Sequence, residues 1–382
     1  MNQILLGRPL IGDEEISMVN EVLKSRWLLN GPMVERFEDD FRNKLGVPYS
    51  AAVTCCTTGM HLAFSMLNIG AGDEVLISGF NFIGAGLSIL QNNARPVFVD
   101  IDPVTFNIDA DRIEEKVTPR TKAIFVLHYA GMAANMDPIL EIAEKHKLYV
   151  IEDAAHSLGS EYNGRKIGEL GDITVFSFGP MKAMTTAMGG MVVCKDEDND
   201  RKVRVLRSYG MDASVRERSS AEKPWSYKVS DLGHNFRMTD VSAAIGVVQL
   251  MKLDSFISTR RELSFYLSEL LEDIPGICPP VELPGYKHSF LYYVIKVKEE
   301  QFRRGRDELA LYLRSNGVSV SVHWDPPLYL QPLFSEYSCG EGSLPVSESM
   351  ARQVLTLPMY PGLLREDVDR IAFLIREFVT SQ

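Results

Sequence analysis

Two apolar runs that end in reactive side chains are the most informative stretches of the sequence. Tyr149-Val150-Ile151-Glu152-Asp153-Ala154-Ala155-His156 closes an apolar run on two carboxylates, then small residues and a histidine. Phe176-Ser177-Phe178-Gly179-Pro180-Met181-Lys182 leaves a second run as Ser-x4-Lys, with Thr185-Thr186 and Gly189-Gly190 beyond it. Each has a plain structural reading by itself. A buried Asp at a strand end is as often a hydrogen-bond acceptor or loop cap as a catalytic group, and a single lysine usually snorkels to the surface. Together they put a carboxylate and an amine at neighbouring strand ends. An amine among Phe, Met, Pro and Gly is one that burial can strip of solvent and make nucleophilic.

That combination has one natural use. Pyridoxal phosphate needs a lysine amine to carry it, a carboxylate to keep its pyridine nitrogen protonated, and donors for its phosphate. Val53-Thr54-Cys55-Cys56-Thr57-Thr58-Gly59 carries a strand through small polar residues into a helix, whose N-terminal amides suit a phosphate. Helix capping by Thr57 is the simpler reading of that turn. Phe80-Asn81-Phe82 offers an aromatic to stack on a ring, although either Phe also reads as core.

The elements that must hold these residues follow from hydropathy. Short apolar or β-branched runs at Ala51–Thr54, Val75–Ser78, Pro96–Val99, Ala123–Leu127, Tyr149–Ile151, Ile173–Phe176 and Met191–Cys194 alternate with helical patterns. The helical patterns cover Thr57–Leu67, Phe82–Gln91, Ile108–Val117 and Met136–His146. This alternation predicts a mainly parallel sheet covered on both faces, with its ligand at the C-terminal strand ends. A long helical pattern spans Asp240–Leu271, and Pro275, Pro279, Pro280 and Pro284 punctuate the chain after it. A second domain is expected there, with strands at Leu291–Val297 and Val318–Val322 and helices near Arg303–Asn316 and Glu366–Phe378.

Composition narrows the function classes. The 382 residues are 45% hydrophobic and 24% charged, enough to bury a large core and to form more than one domain. No window approaches ~18 uninterrupted apolar residues, and the first residues lack a basic and apolar leader, so no membrane partner and a cytoplasmic location are expected. Forty Lys+Arg against 51 Asp+Glu give a net charge of −11 with no basic block, which speaks against nucleic acid. Five cysteines without a C-x-x-C spacing argue against a disulfide framework and against a metal site.

In the order and spacing of its motifs the chain resembles the DegT/DnrJ/EryC1/StrS family of pyridoxal-phosphate-dependent sugar aminotransferases over nearly its whole length. The resemblance rests on Glu152–His156, on Phe176-Ser177-Phe178-x3-Lys182-x2-Thr185-Thr186-x2-Gly189-Gly190, on Leu232–Asp240 and on Trp27–Pro32. It is supported by Thr118–Ile124 and Leu357–Leu363. It implies an α/β protein of fold type I: a large domain over residues 1–250 with a mixed seven-stranded sheet flanked by helices, and a smaller C-terminal α/β domain over 251–382. By position, Lys182 matches the lysine that carries the cofactor and Asp153 the partner of its ring nitrogen. Phe82 matches the stacking aromatic, and His156 stands near the ring hydroxyl. Ser177 and the Cys56 and Thr57 amides match phosphate contacts, and Asn235 matches the asparagine that reaches the phosphate from the neighbouring subunit of a homodimer. His323 falls near the sugar.

The resemblance further implies L-glutamate as amino donor and a nucleotide-linked ketosugar as acceptor, the product being an amino sugar for a surface glycan, such as lipopolysaccharide O-antigen, or for a secondary metabolite. A keto-cyclitol acceptor, a sugar dehydratase and a non-catalytic cofactor-binding sensor are the alternatives, and Lys182 argues against a dehydratase, whose relatives carry histidine there. Three departures stand out: Cys55-Cys56-Thr57 where many members have Ser-Gly-Thr, Gly179 for a His or Tyr, and Ala187-Met188 for Gly followed by an acid. They predict an altered sugar pocket with transamination intact.

Overall fold

The computed structural model describes residues 3–212, 222–223, 225–301 and 304–380. In chain order the larger elements are α1 (Asp13–Ser25), α2 (Pro32–Leu45), β1 (Tyr49–Val53), α3 (Cys56–Met66), β2 (Glu74–Ser78), α4 (Ile83–Gln91), β3 (Arg95–Val99), β4 (Thr121–Leu127), α5 (Met136–His146) and β5 (Tyr149–Asp153). The short β6 (Glu161–Tyr162) and β7 (Arg165–Lys166) precede β8 (Ile173–Ser177), β9 (Gly190–Cys194), α6 (Glu197–Leu206) and α7 (Asp240–Leu271). The C-terminal part adds β10 (Ile277–Cys278), β11 (Tyr286–Lys287), β12 (Tyr293–Val297), α8 (Arg306–Ser315), α9 (Pro345–Gln353), β13 (Val354–Leu357) and α10 (Arg365–Thr380).

The expected apolar runs all become strands of one seven-stranded sheet, ordered β1-β9-β8-β5-β4-β2-β3. Neighbours from β8 to β3 run parallel, whereas β9 is antiparallel to both β8 and β1, which makes the sheet mixed. Strands such as β4 and β5 are buried on both faces because helices cover each side, so their sequences are continuous apolar runs and not alternating ones. One face packs Phe37 and Phe41 of α2 with Val247 and Leu250 of α7. The other packs Leu62 and Phe64 of α3 with Ile89 of α4, together with Leu328, Tyr329 and Phe334 from the C-terminal part.

Local chemistry fixes the helix ends. Helix α2 begins with Pro32 and stops at Gly46 (φ 80°), the usual asymmetry of helix termini. The buried Asp240 carboxylate accepts the Gly31 and Met33 amides, 2.7 and 2.9 Å away, and so caps the start of α2. Helix α7 passes through position 250/251, where the sequence divides the chain, and carries an 18-residue window of mean hydropathy 1.3, of which 56% is buried in the fold. Its C-terminal half packs Leu267 and Leu271 against β12, β13, α8 and α10, around a three-stranded sheet ordered β10-β12-β13.

Two expected elements differ. Ile108–Val117 is not an α-helix but two single 3-10 turns, Ala110–Arg112 and Glu114–Lys116, the first capped by the Asp109 side chain on the Asp111 amide. Val318–Val322 is not a strand. Val318 makes one bridge to Ile4 of the N-terminal arm, and Ser321 makes one to Thr356 in β13, so no ladder forms. Of the helix expected over 303–316, α8 covers Arg306–Ser315, and Arg303 lies outside the described residues.

Candidate active site

The sheet delivers Asp153 at the end of β5 and Ser177 at the end of the adjacent β8, with Val175 of β8 paired directly beside Asp153. Asp153 is 2% exposed. Its Oδ1 accepts the Ala155 amide at 3.0 Å and meets the Cys56 thiol at 3.9 Å, while no donor from the described residues reaches Oδ2. Burial pushes this carboxyl up from its ordinary value, against the Ala155 amide and the Lys182 charge, which favour the anion.

Beneath Asp153, Glu152 is fully buried and fully satisfied. It takes the His128 Nε2–H at 2.8 Å, the Gly171 amide at 2.7 Å and the Thr174 hydroxyl at 2.7 Å. The His128 amide donates to the Asp153 carbonyl oxygen at 3.2 Å, so the strand end is tied down from below. His128 therefore has a structural post, as does His61, which pairs with His234 at 3.1 Å.

Lys182 comes from the loop after β8, whose turn closes through the Lys182 amide on the Gly179 carbonyl oxygen at 3.1 Å. Its Nζ lies 5.7 Å from the centre of the Tyr292 ring, and its charge acts on Asp153, Cys56, His156 and His323. Buried His156 accepts the Ala130 amide at Nδ1, 3.4 Å away, and packs edge-on to Tyr292. Burial and the Lys182 charge hold His156 well below the ordinary histidine range, and the same causes push His323 down to about 4, so both rings are neutral at pH 7.

Above these groups the C-terminal part contributes His323 and Trp324, stacked on His156 at ring separations of 6.4 and 6.2 Å. Trp324 also meets Phe80, Tyr129 and Phe82. The loop is anchored by buried Arg306, which donates to Asp325 at 2.8 Å and to the Ala351 and Val354 carbonyl oxygens. Sequence reasoning did not single out Tyr292 or Trp324. Tyr292 precedes an ordinary strand and carries no local signal, whereas Trp324 adjoins the His323 that was.

The remaining candidates divide. Cys56 and Thr57 open α3, and the Thr58 hydroxyl serves the Cys55 amide and carbonyl, so the Cys56 and Thr57 amides take no acceptor among the described residues. Phe82, 49% exposed, caps α4 next to them. A Cβ on Gly84 would come within 3.0 Å of Thr57 Oγ1 and 3.2 Å of the Phe82 ring, so glycine keeps that space open. Asn235 does not join the others: it is exposed, bridges to Ser208 through its backbone and accepts from Arg237 Nε at 3.0 Å. A carboxylate oxygen without a donor, helix amides without acceptors, a lysine and an exposed ring make a donor set that fits pyridoxal phosphate.

The mixed seven-stranded sheet with a smaller α/β unit hung on a long helix is that of fold type I pyridoxal-phosphate aminotransferases. The sequence profile of the DegT/DnrJ/EryC1/StrS aminotransferase family matches residues 9–376, and the chain belongs to that family. It is 37% identical to the spore coat polysaccharide biosynthesis protein SpsC of Bacillus subtilis over 373 residues, covering 97% of this chain and 96% of SpsC. The crystal structure of the aminotransferase TlmJ from Streptoalloteichus hindustanus superimposes with a TM-score of 0.91 at 35% identity, covering 99% of both chains. Spr1654 of Streptococcus pneumoniae, solved in its PLP form, superimposes with a TM-score of 0.92 at 25% identity over 99% of both. The enzyme is a pyridoxal-phosphate-dependent aminotransferase.

Proposed function

We propose that this enzyme moves an amino group from L-glutamate to the keto group of a nucleotide-linked deoxysugar, making an amino sugar for a surface glycan or secondary metabolite, as a cytoplasmic homodimer. The observation that carries this reading is the convergence of Lys182, Asp153 and the α3 amides at the C-terminal edge of one sheet. The polysaccharide named for the SpsC relative supports a sugar acceptor, and five free thiols fit a reducing compartment.

When bound, pyridoxal phosphate supplies an electron sink for the carbon that loses its proton. In this reading the chain's own groups do the rest. Lys182 Nζ holds the cofactor and moves the proton that leaves the donor carbon. Asp153 keeps a proton on the pyridine nitrogen, which makes the sink effective. The Cys56 and Thr57 amides and the Ser177 hydroxyl take the phosphate, Phe82 orients the ring, and neutral His156 serves the ring hydroxyl. His323 faces the sugar from the C-terminal part, and packing by Trp324 and Tyr292 excludes water.

Dimerisation is supported by the surface around Asn235. Leu232 is 90% exposed, and Trp225, Tyr227 and Val229 are exposed on the same stretch, an apolar concentration that a lone soluble chain rarely shows. In the dimer, Asn235 of the partner subunit completes the phosphate site. The test is incubation with amino-15N glutamate and a panel of nucleotide-linked ketosugars. Label in the sugar product is expected, and label that never leaves glutamate for any of them would overturn the reading.

A further inference from the structure

Helix α7 buries one cation, Arg260, that no acid among the described residues neutralises. Arg260 is 4% exposed, its Nε and Nη1 make no hydrogen bond, and Nη2 alone reaches the Lys182 carbonyl oxygen, at a long 3.5 Å. The other deeply buried arginines have acids: Arg207 pairs with Glu38, and Arg306 with Asp325. Around Arg260 lies a small cavity lined by Arg8 of the N-terminal arm, by Lys182 and Thr185 of the lysine loop and by Gln249, with no Asp or Glu in its wall.

The acid near Gln249 is already spent. Glu15 takes Lys252 Nζ at 2.9 Å, Gln249 Nε2 at 2.8 Å and the Gly12 amide at 2.9 Å. Burial pushes Arg260 down only to about 10, so it stays charged at neutral pH. A buried guanidinium with neither counter-charge nor filled donors is strongly unfavourable. No acid among the described residues supplies the missing charge, which leaves a place for an external anion.

We propose that Arg260 and Arg8 bind one small monoanion, a halide or a carboxylate, between the N-terminal arm and the loop that carries Lys182. The cavity of about 10 Å³ has room for about one water-sized group, which favours a halide ion or the tip of a carboxylate over the bulkier sulfate and phosphate. The carboxylate would be that of the amino donor, an alternative that rests on the glutamate reading; a free halide would not depend on it. Either anion would sit beside the backbone of Lys182 and steady the loop.

The test uses the holoenzyme and Arg260→Met, with Arg8→Met as a second variant that touches only the exposed arm. Crystals soaked in sodium bromide are examined for anomalous scattering at Arg260, and thermal unfolding is followed as bromide replaces sulfate at fixed ionic strength. A bromide peak, with a bromide-dependent rise in Tm of several degrees that Arg260→Met abolishes and Arg8→Met weakens, establishes a free-anion site. No bromide effect, but a KM for glutamate raised tenfold or more in Arg260→Met with kcat and cofactor absorbance retained, assigns the site to the donor. A water molecule at Arg260 in the bromide crystals, with Arg260→Met matching wild type in Tm response and KM, overturns the proposal. If wild type does not react with glutamate at all, the glutamate reading falls and the bromide result alone decides.

Discussion

The Cys56 thiol lies 3.9 Å from Asp153 Oδ1 and 3.8 Å from the Val175 carbonyl oxygen, so the first residue of α3 packs directly on the strand-end carboxylate. Burial, and next the Asp153 charge, push this thiol well above its ordinary value. Cys56 is therefore a protonated packing residue and not a nucleophile. Under native conditions iodoacetamide is expected to label exposed Cys339 and to leave Cys56 and Cys194 untouched, while all five thiols react in denaturant. Native labelling of Cys56 at the rate of Cys339 would show that the contact is not as tight as described.

Asp153→Asn keeps the shape and the Ala155 hydrogen bond but removes the charge proposed to keep the ring nitrogen protonated. The variant is expected to hold pyridoxal phosphate and to lose on the order of 10²–10⁴ in the rate of the glutamate half-reaction. Stopped-flow absorbance measures this, and a rate near wild type would take Asp153 out of its proposed role.

Stability should depend on pH through the buried histidines. Burial, and next the Arg261 charge, push His288 down to about 3, and His323 stands at about 4, against an ordinary 6.5. Between those values and 6.5 the unfolded chain binds protons that the folded one refuses, so their contribution is complete above pH 6.5 and is lost as pH falls toward 4. The slope is about 1.4 kcal/mol per pH unit for each histidine. Asp153, raised by burial, works in the opposite sense as pH rises past 3.8. Urea unfolding from pH 7 to 4.5 should show the decline, and a flat profile would mean that these rings are not held neutral.

Ala187, one of the departures from the family pattern, has φ 64°, a left-handed conformation that costs an alanine roughly 1 kcal/mol or more. Ala187→Gly is thus expected to stabilise the fold by about 1 kcal/mol, read as a Tm rise of a few degrees. A lower Tm would show that the loop gains more from alanine's restriction of the unfolded chain.

Legibility followed burial. Strands β4, β5 and β8 were readable because both faces are covered and each contains a short apolar run, Ala123–Leu127, Val150-Ile151 and Val175-Phe176, and Met136–His146 was found with its observed ends because its apolar face is regular. Ile108–Val117 misled because Ala110, Ile113 and Val117 pack on the core at helical spacing, while Asp109 caps a turn near the start of the stretch. Val318–Val322 has strand composition, but the N-terminal arm takes Val318, a long-range pairing that no local pattern records. Among the proposed site residues, Asp153 and Lys182 were legible as candidates because each lies inside a motif. Tyr292 and Arg260 were not, because their meaning lies in what a distant segment brings against them.

The central claim is that Lys182 carries the cofactor for transamination, and an absorbance scan tests it most directly. Purified protein with pyridoxal phosphate should show a band near ~420 nm that glutamate converts to the pyridoxamine form, and Lys182→Ala should lack the band. A band that survives in Lys182→Ala unchanged would contradict the lysine assignment, and the absence of any band in the wild type would contradict the whole account.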